Sequence, residues 1–395
     1  MLNFNDTKIA FKIKSNTDLK RAYWLFRIIG SPAVVKIGKF LMIVALKLRL
    51  PVNFIVKRTI FKQFCGGETI SECAKIIQAL GKHQIGTILD YSVEGKIRED
   101  DFDQTAKIII QTIEKAALEK SIPFAVFKIT GISEFSLLEK ASQKKEPLTA
   151  SEENKLNQVK SRINDICCKA KQMGVPVFID AEESWVQDII DQWAFEMMLL
   201  YNKEKCIVYN TIQMYRNDRL EYLKTCFHKA KEANISYGVK LVRGAYMEKE
   251  RLRAEEMNYP SPIQPNKEAC DRDYDLALDY ILDKINYFSL VAGTHNEDSS
   301  KKLALSLSER SISKDDSRIY FAQLLGMSDH ISFNLAHHEF NVAKYVPFGP
   351  VKEVMPYLLR RADENTSAAG QTGRELSLIN KELKDRKIKA RSSSI

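Results

Sequence analysis

The sequence predicts a (β/α)8 barrel, on three observations. From residue 85 onward, eight short runs rich in β-forming residues alternate with longer helical stretches. Most of these runs are continuously apolar instead of alternating, as expected of strands that are buried on both faces. Eight such units over roughly 280 residues match the usual length of this barrel. A doubly wound open sheet is the alternative, but no GxGxxG sequence follows the first run.

The predicted strands cover residues 85–91, 124–129, 175–179, 206–210, 237–242, 288–294, 318–322 and 341–346. Helical stretches separate most of them, for example at 101–120 and 151–173. Ser151 is the predicted N-cap of the second helix, with Asn154 three residues later in place of the usual acid.

Charge and composition divide the chain into a basic helical arm at 1–84, the barrel at 85–382 and a polar tail at 383–395. The tail is predicted to be disordered. Residues 1–66 hold thirteen Lys and Arg against Asp6 and Asp18, a net charge of +11. The remainder carries 47 basic and 49 acidic residues, a net charge of −2. The basic arm could meet nucleic acid, an anionic membrane surface or an acidic partner.

A basic amphipathic helix is predicted within the arm, where apolar residues alternate with Lys and Arg between residues 36 and 49. Its longest apolar run, 40–46, falls far short of the about 20 residues that span a bilayer. No secretory signal is recognisable. Two interpretations stay open, contact with a membrane surface and packing on the barrel. The seven cysteines form no CxxC pair and indicate a reducing compartment.

A second amphipathic helix is predicted near residues 351–365, with its apolar face formed by Val351, Val354, Met355, Leu358, Leu359 and Ala362. Another stripe of the same helix consists of Tyr357, Arg360, Arg361 and Glu364. Two adjacent guanidinium groups can hold a planar anion by bidentate hydrogen bonds. A solvated face is the alternative. Pro356 removes a backbone donor and predicts a kink or a new start at that point.

Polar side chains end seven of the eight predicted strands, and a barrel collects them at one mouth. They include Lys128, Asp180, Glu182, Gln213, Lys240, Arg243, Thr294, His295, Gln323 and Tyr345. Cations are plentiful in this set, whereas a nucleophile with its base and a cluster with metal-ligand spacing are both lacking. We therefore expect a bound organic cofactor to supply the chemistry, and no metal.

Four long stretches resemble the proline dehydrogenase family, flavoenzymes that oxidise L-proline. They read VKLVRGAYMEKER, GTHNED, FAQLLGMSDHISF and KYVPFGPVKEVMPYLLRRADEN, nearer the eukaryotic than the bacterial fused form. The resemblance runs from about Ile85 to Thr366. It implies a distorted (β/α)8 barrel whose last helix lies over the mouth, with FAD at the C-terminal strand ends. The implied reaction is hydride transfer from proline C5 to flavin N5, giving Δ1-pyrroline-5-carboxylate, the first step of proline catabolism to glutamate.

The resemblance also implies a role for each matching residue. Arg360 and Arg361, with Lys128, would bind the proline carboxylate, while Tyr345 and Tyr357 would pack on its ring. Asp180 and Lys240 are the implied catalytic residues. The implied FAD contacts are Glu182, Gln213, Lys240, Arg243, Gly244, Ala245, Thr294 and His295. Many members have Arg in place of Lys240, and Lys keeps the charge but loses the planar fork.

The implied partners are a membrane quinone, which would reoxidise FAD, and a pyrroline-5-carboxylate dehydrogenase, which would take the product. The expected location is the cytoplasm, with peripheral contact of residues 1–66 with the inner membrane. No nucleic-acid partner is expected, because no binding motif is recognisable. Hydroxyproline dehydrogenase is an alternative, although that branch tends to replace the tyrosine equivalent to Tyr345 with a small residue. The second alternative is a catalytically silent membrane-surface protein with this fold.

Overall fold

The computed structural model describes residues 2–31, 33–38, 53–93, 97–367 and 369–392, but no side chain at 363–371 or beyond 388. Eight parallel strands form a closed barrel in sequence order, and the last strand pairs with the first. They are β1 (Ile85–Tyr91), β2 (Phe124–Phe127), β3 (Val177–Ile179), β4 (Val208–Gln213), β5 (Tyr237–Val242), β6 (Phe288–Gly293), β7 (Ile319–Leu324) and β8 (Val342–Phe348). The predicted barrel is confirmed.

Helices cover the outside of the barrel between successive strands. They are Glu99–Leu118, Phe135–Gln143, Ala150–Met173, Ser184–Tyr201, Arg219–Glu232, Met247–Glu256, Lys267–Leu282, Glu297–Glu309 and Asp329–His337. Two more follow β8, Met355–Ser367 and Ala369–Ser392. The described helices before β1 are Thr7–Ala10, Asn16–Ile29, residues 33–38, Asn53–Val56, the π-helical turn Lys57–Phe61, Lys62–Phe64 and Ala74–Gly81.

Two apolar layers hold the barrel together. Aromatic rings fill its interior, where Phe124 stacks on Phe178 with centroids 4.6 Å apart and Tyr209 meets both rings edge-on. A larger layer of aliphatic side chains lies between the strands and the surrounding helices. Because most strand residues are buried on one side or the other, the strands read as continuous apolar runs.

Several predicted boundaries differ from the structure by one to three residues, and two of these differences have a clear physical reason. Strand β4 begins at Val208 and continues to Gln213, past the predicted end at Asn210. The strand tolerates its polar residues because Thr211 Oγ1 donates to the Ile179 carbonyl at 2.9 Å. The helix Ala150–Met173 is capped by Thr149 instead of Ser151, since Thr149 and Glu152 form a complete capping box.

The C-terminal tail also differs from its prediction. Residues 383–392 continue the helix Ala369–Ser392, and only 393–395 lie outside the described residues. Arg386 explains this order, because its guanidinium donates to the carbonyls of Phe11 at 3.0 Å and Lys14 at 2.8 Å. A polar composition suggested disorder, but here the charged side chains join the two ends of the chain.

The helix Asn16–Ile29 packs against the main body. Its buried Leu19 and Phe26 belong to one apolar cluster with Tyr357 and Leu378 from the two helices after β8. The packing interpretation of the arm therefore holds for this helix. The predicted basic helix, between residues 36 and 49, lies mostly outside the described residues, which stop at 38 and resume at 53. Among the helices that the structure describes, none is long and apolar enough to cross a bilayer.

Candidate active site

A buried ion pair lies at the centre of the barrel mouth. Lys240, on β5 and 4% exposed, donates hydrogen bonds from Nζ to Asp180 Oδ1 and to the Tyr345 hydroxyl. The Tyr345 hydroxyl in turn donates to Asp180 Oδ1 at 3.3 Å. Burial lowers the pKa of Lys240, whereas the Asp180 carboxylate opposes that shift. The two predicted catalytic residues and one predicted substrate contact thus form a single cluster.

The Tyr345 ring is held by two neighbours. Lys240 Nζ lies 4.5 Å from its centroid, and the ring stacks on Phe178 at 6.3 Å with an interplanar angle of 14°. A cation and an aromatic neighbour together restrict the rotation of the ring. A flat apolar surface is therefore presented beside the Asp180 carboxylate.

A second carboxylate, Glu182, lies behind this cluster. It accepts hydrogen bonds from the backbone N–H of Thr130 at 3.0 Å and from the Thr130 hydroxyl. Burial raises the pKa of Glu182 to about 7, and the neighbouring Glu183 charge adds to the shift. Gln213 Nε2 donates to the Glu182 carbonyl at 2.5 Å. The buried Oε1 atom of Gln213 accepts no hydrogen bond from any described residue.

Arg243 links the ends of β5 and β6. Its Nη1 donates to Thr294 Oγ1 and its Nη2 to Ser299 Oγ, both at 2.7 Å. The guanidinium also stacks over the Tyr274 ring, with Cζ 3.7 Å from the centroid. Gly244 follows with φ of +41°, in the left-handed region that favours glycine. The exposed Ala245 leaves the backbone open at this point of the mouth.

His295, after β6, shares a hydrogen bond of 2.9 Å between its Nδ1 and Ser328 Oγ. Burial lowers the pKa of His295 to about 3, and the charges of Lys344 and Arg361 act in the same direction. The imidazole is therefore neutral at physiological pH. It serves as a hydrogen-bonding group at the mouth and not as a cation.

The helix Met355–Ser367 brings the predicted arginine pair to the mouth. It starts at Met355, so Pro356 lies in its first turn, where the missing N–H is tolerated. Arg361 is 7% exposed and its Cζ lies 5.0 Å from the Tyr357 centroid. Its charge acts on His295, and that of Arg360 acts on Tyr246.

A solvated face is therefore wrong for Arg361 and Tyr357, which are buried. The side chain of Glu364, the last member of the predicted stripe, lies outside the described residues. Both arginines face groups at the strand ends, as expected of a helix that lies over the mouth.

One mouth residue was missed in the sequence. Asp90 is the last residue but one of β1, is 6% exposed and accepts a hydrogen bond of 2.5 Å from Ser92 Oγ. Burial raises the pKa of Asp90, and the charge of Lys128 opposes the shift. Asp180 and Lys240 are further charges that act on it. An acid within an otherwise apolar run was the available signal, the same signal that marked Lys240.

Comparison with known proteins places the chain in a family. The family model described as proline dehydrogenase matches residues 73–374, about three quarters of the chain. The chain belongs to the proline dehydrogenase family. It is accordingly an oxidoreductase, as its sequence resemblance implied.

Named relatives agree with this membership. Proline dehydrogenase 1, mitochondrial, of Dictyostelium discoideum is 36% identical over 384 residues, covering 86% of this chain and 67% of the relative. Hydroxyproline dehydrogenase of Xenopus laevis is 30% identical over 98% of this chain and 90% of the relative.

The fold also matches a solved structure. The proline utilization A protein of Bdellovibrio bacteriovorus, inactivated by N-propargylglycine, superposes with a TM-score of 0.72 at 20% identity. The match covers 94% of this chain, which spans 40% of that longer chain. At this identity the likeness supports the fold alone.

Proposed function

We propose that the protein oxidises L-proline to Δ1-pyrroline-5-carboxylate with FAD as its cofactor. The observation that carries this proposal is the opposed charge at the mouth. Asp180 lies on the barrel side, within the cluster of Lys240 and Tyr345, whereas Arg360 and Arg361 lie on the helix above. A small zwitterion with a ring between its charges suits this arrangement.

In the proposed substrate pose, Arg360, Arg361 and Lys128 bind the carboxylate. Asp180 attracts the ring nitrogen, and the Tyr345 and Tyr357 rings cover the pyrrolidine. Such positioning contributes by holding the C5–H bond in one orientation and by excluding water. Oxidation removes a hydride from C5 and a proton from nitrogen, and leaves a C=N double bond.

The mouth residues fit a flavin. Gln213 offers a buried, unused acceptor, while Lys240, Arg243 and the neutral His295 offer donors. The backbone at Gly244–Ala245 is free of bulky side chains, which suits the approach of a large cofactor. Glu182 and Thr294 complete the proposed FAD-binding residues. A flavin held by these residues would supply the hydride acceptor for proline C5.

Hydroxyproline is the alternative substrate, since one relative is named hydroxyproline dehydrogenase. Tyr345 favours proline. Its hydroxyl is bonded to both Lys240 and Asp180 beside the proposed ring position, which leaves less room for a substituent.

The experiment that tests the proposed function is reduction of the bound flavin by substrate. We expect L-proline to bleach the flavin absorbance of the purified protein without added dye or oxygen. A protein without flavin, or one whose flavin absorbance persists with proline, would contradict the proposal.

We propose a quinone at a membrane surface as the electron acceptor, with a pyrroline-5-carboxylate dehydrogenase taking the product. The prediction of a cytoplasmic enzyme that contacts the inner membrane remains a prediction. Its structural support is two exposed aromatic side chains of the N-terminal helices, which we propose as the membrane face. Trp24 is 58% exposed and Phe54 is 61% exposed. The Cζ atom of Arg27 lies 5.3 Å from the Trp24 ring centroid, and that of Arg58 lies 4.0 Å from the Phe54 ring centroid. Aromatic rings beside cations suit the headgroup region of an anionic bilayer.

We expect the double substitution Trp24→Ser with Phe54→Ser to weaken sedimentation with phosphatidylglycerol-containing vesicles by about tenfold in partition coefficient. Wild-type binding should fall as salt is raised, because the arginines contribute electrostatically. The matched control is Leu118→Ser with Leu305→Ser, which removes two exposed apolar side chains elsewhere. Equal vesicle binding by wild type and the Trp24/Phe54 variant would contradict the proposed membrane face.

A further inference from the structure

The segment Ser328–Asp329–His330, after β7, is held by both ends of the chain. Glu375, 3% exposed on the helix Ala369–Ser392, accepts a hydrogen bond from the Ser328 backbone N–H. Lys14 Nζ, near the other end of the chain, lies 2.7 Å from the Asp329 carboxylate. Lys14 lies well before residues 73–374, which match the family model, and Glu375 is the first residue after them. Both contacts therefore come from outside the eight strands of the barrel.

Ser328 connects the contacts of Glu375 and Lys14 to the barrel mouth. It is fully buried and adopts φ of 50° and ψ of 40°, a left-handed conformation that is unfavourable for a residue with a Cβ. Such a conformation persists only where the surroundings enforce it. The bond from its N–H to Glu375 is one such restraint. With the backbone so held, Ser328 Oγ lies 2.9 Å from His295 Nδ1.

The neighbouring Asp329 braces the same segment. Its carboxylate is 5% exposed and bonds Lys344 Nζ at 2.9 Å in addition to Lys14. Lys344 also donates to the Met327 carbonyl at 2.5 Å. A buried carboxylate between two cations has little freedom to move, because separating the charges would leave them unpaired. Ser328 is thus fixed from its own N–H and from the residues on either side.

We propose that Glu375 is a positioning residue for the cofactor site. It fixes Ser328, and Ser328 fixes the orientation of the His295 ring where FAD would bind. The inference rests on the proposed function, because His295 can act on a flavin only if the flavin occupies this mouth. The helix Ala369–Ser392, which extends past the family-matched region, is then part of the cofactor-binding apparatus and not an appendage.

The test is the dissociation constant of FAD for the apoprotein, measured by quenching of flavin fluorescence. Glu375→Met keeps the length of the side chain but removes the acceptor, and we expect it to raise the Kd of FAD about tenfold. Glu375→Gln keeps an acceptor oxygen for the Ser328 N–H and should stay within about threefold of wild type. Ser328→Ala should raise the Kd of FAD as much as Glu375→Met does, because it removes the hydroxyl that bonds His295. If Glu375→Met does not fold, Ser328→Ala tests the same connection to His295.

Glu382→Met is the matched control. Glu382 lies two turns further along the same helix, is also 3% exposed, and accepts from Arg386 on that helix at 2.7 Å. We expect it to lower thermal stability as Glu375→Met does, but to leave the Kd of FAD unchanged. A similar rise in the Kd of FAD in Glu375→Met and Glu382→Met would indicate a general structural role for both glutamates and would overturn the proposal.

A double-substitution cycle makes the test specific. If Glu375 acts through His295, Glu375→Met should have no further effect on the Kd in a His295→Ala protein. The same increase in both backgrounds would overturn the proposed route. Wild-type apoprotein that binds no FAD would overturn the proposed function together with this inference. Wild-type binding with an unchanged Kd in Glu375→Met would overturn this inference alone.

Discussion

Replacing Arg361 with methionine is expected to lower kcat/KM for L-proline by about one to two orders of magnitude. Loss of a charge-assisted hydrogen bond costs about 1.5 to 3 kcal/mol, and the carboxylate would lose one partner of its clamp. Most of the change should appear as a higher KM, with a smaller fall in kcat because the substrate is less well oriented. Arg360→Met should act in the same direction. Steady-state kinetics with an artificial dye acceptor measures both variants.

The flavin content of both variants should stay near that of wild type, because the arginines are proposed to face substrate. Arg310→Met is the matched control. Arg310 bonds the carboxylates of Asp279 and Asp283 on the outside of the barrel, at 3.4 and 3.0 Å. Its replacement should change kcat/KM by less than about twofold, as for a surface ion pair. An unchanged KM for proline in both Arg360→Met and Arg361→Met would refute the carboxylate clamp.

Replacing Lys240 with methionine is expected to destabilise the protein by about 3 kcal/mol and to abolish most activity. The substitution leaves the Asp180 carboxylate without its cation inside the mouth. It also removes the donor to the Tyr345 hydroxyl. Chemical denaturation with urea measures the change in the free energy of unfolding.

Two further variants separate charge from shape at Lys240. Lys240→Arg keeps the cation and should retain folding and part of the activity, because only the shape of the charged group changes. The double variant Lys240→Met with Asp180→Asn removes both charges, and should be more stable than Lys240→Met alone. If the double variant is the less stable of the two, the Asp180–Lys240 pair is not the source of the effect.

The barrel was predictable because its strands are buried on both faces. Runs such as 85–91 and 237–242 coincide with β1 and β5. The end of β4 was not predictable from local pattern, because Asn210 and Thr211 resemble a loop. Their polar atoms are satisfied by partners from other elements, for example Asp191 and the Ile179 carbonyl. Such tertiary hydrogen bonds leave no periodic signal in the sequence.

Some residues of the candidate site were likewise predictable from the sequence, and others were not. Strand-end position singled out Asp180, Lys240 and Tyr345, and the structure brings these three together in one cluster. The same rule could have found Asp90 at the end of β1. Glu375 could not have been found, because a glutamate in a charged C-terminal helix looks solvated. Its burial depends on how that helix packs beside the loop after β7, which only the tertiary structure reveals.

We propose that this barrel mouth holds FAD and oxidises proline. Anaerobic titration of the purified, flavin-containing protein with L-proline, followed by its absorbance spectrum, is the decisive test of this proposal. Two electrons from each proline should bleach the flavin band, and trans-4-hydroxy-L-proline should do so much less effectively at equal concentration. Persistence of the oxidised flavin spectrum at saturating L-proline would contradict the claim. More effective bleaching by the hydroxylated substrate would instead favour the alternative activity.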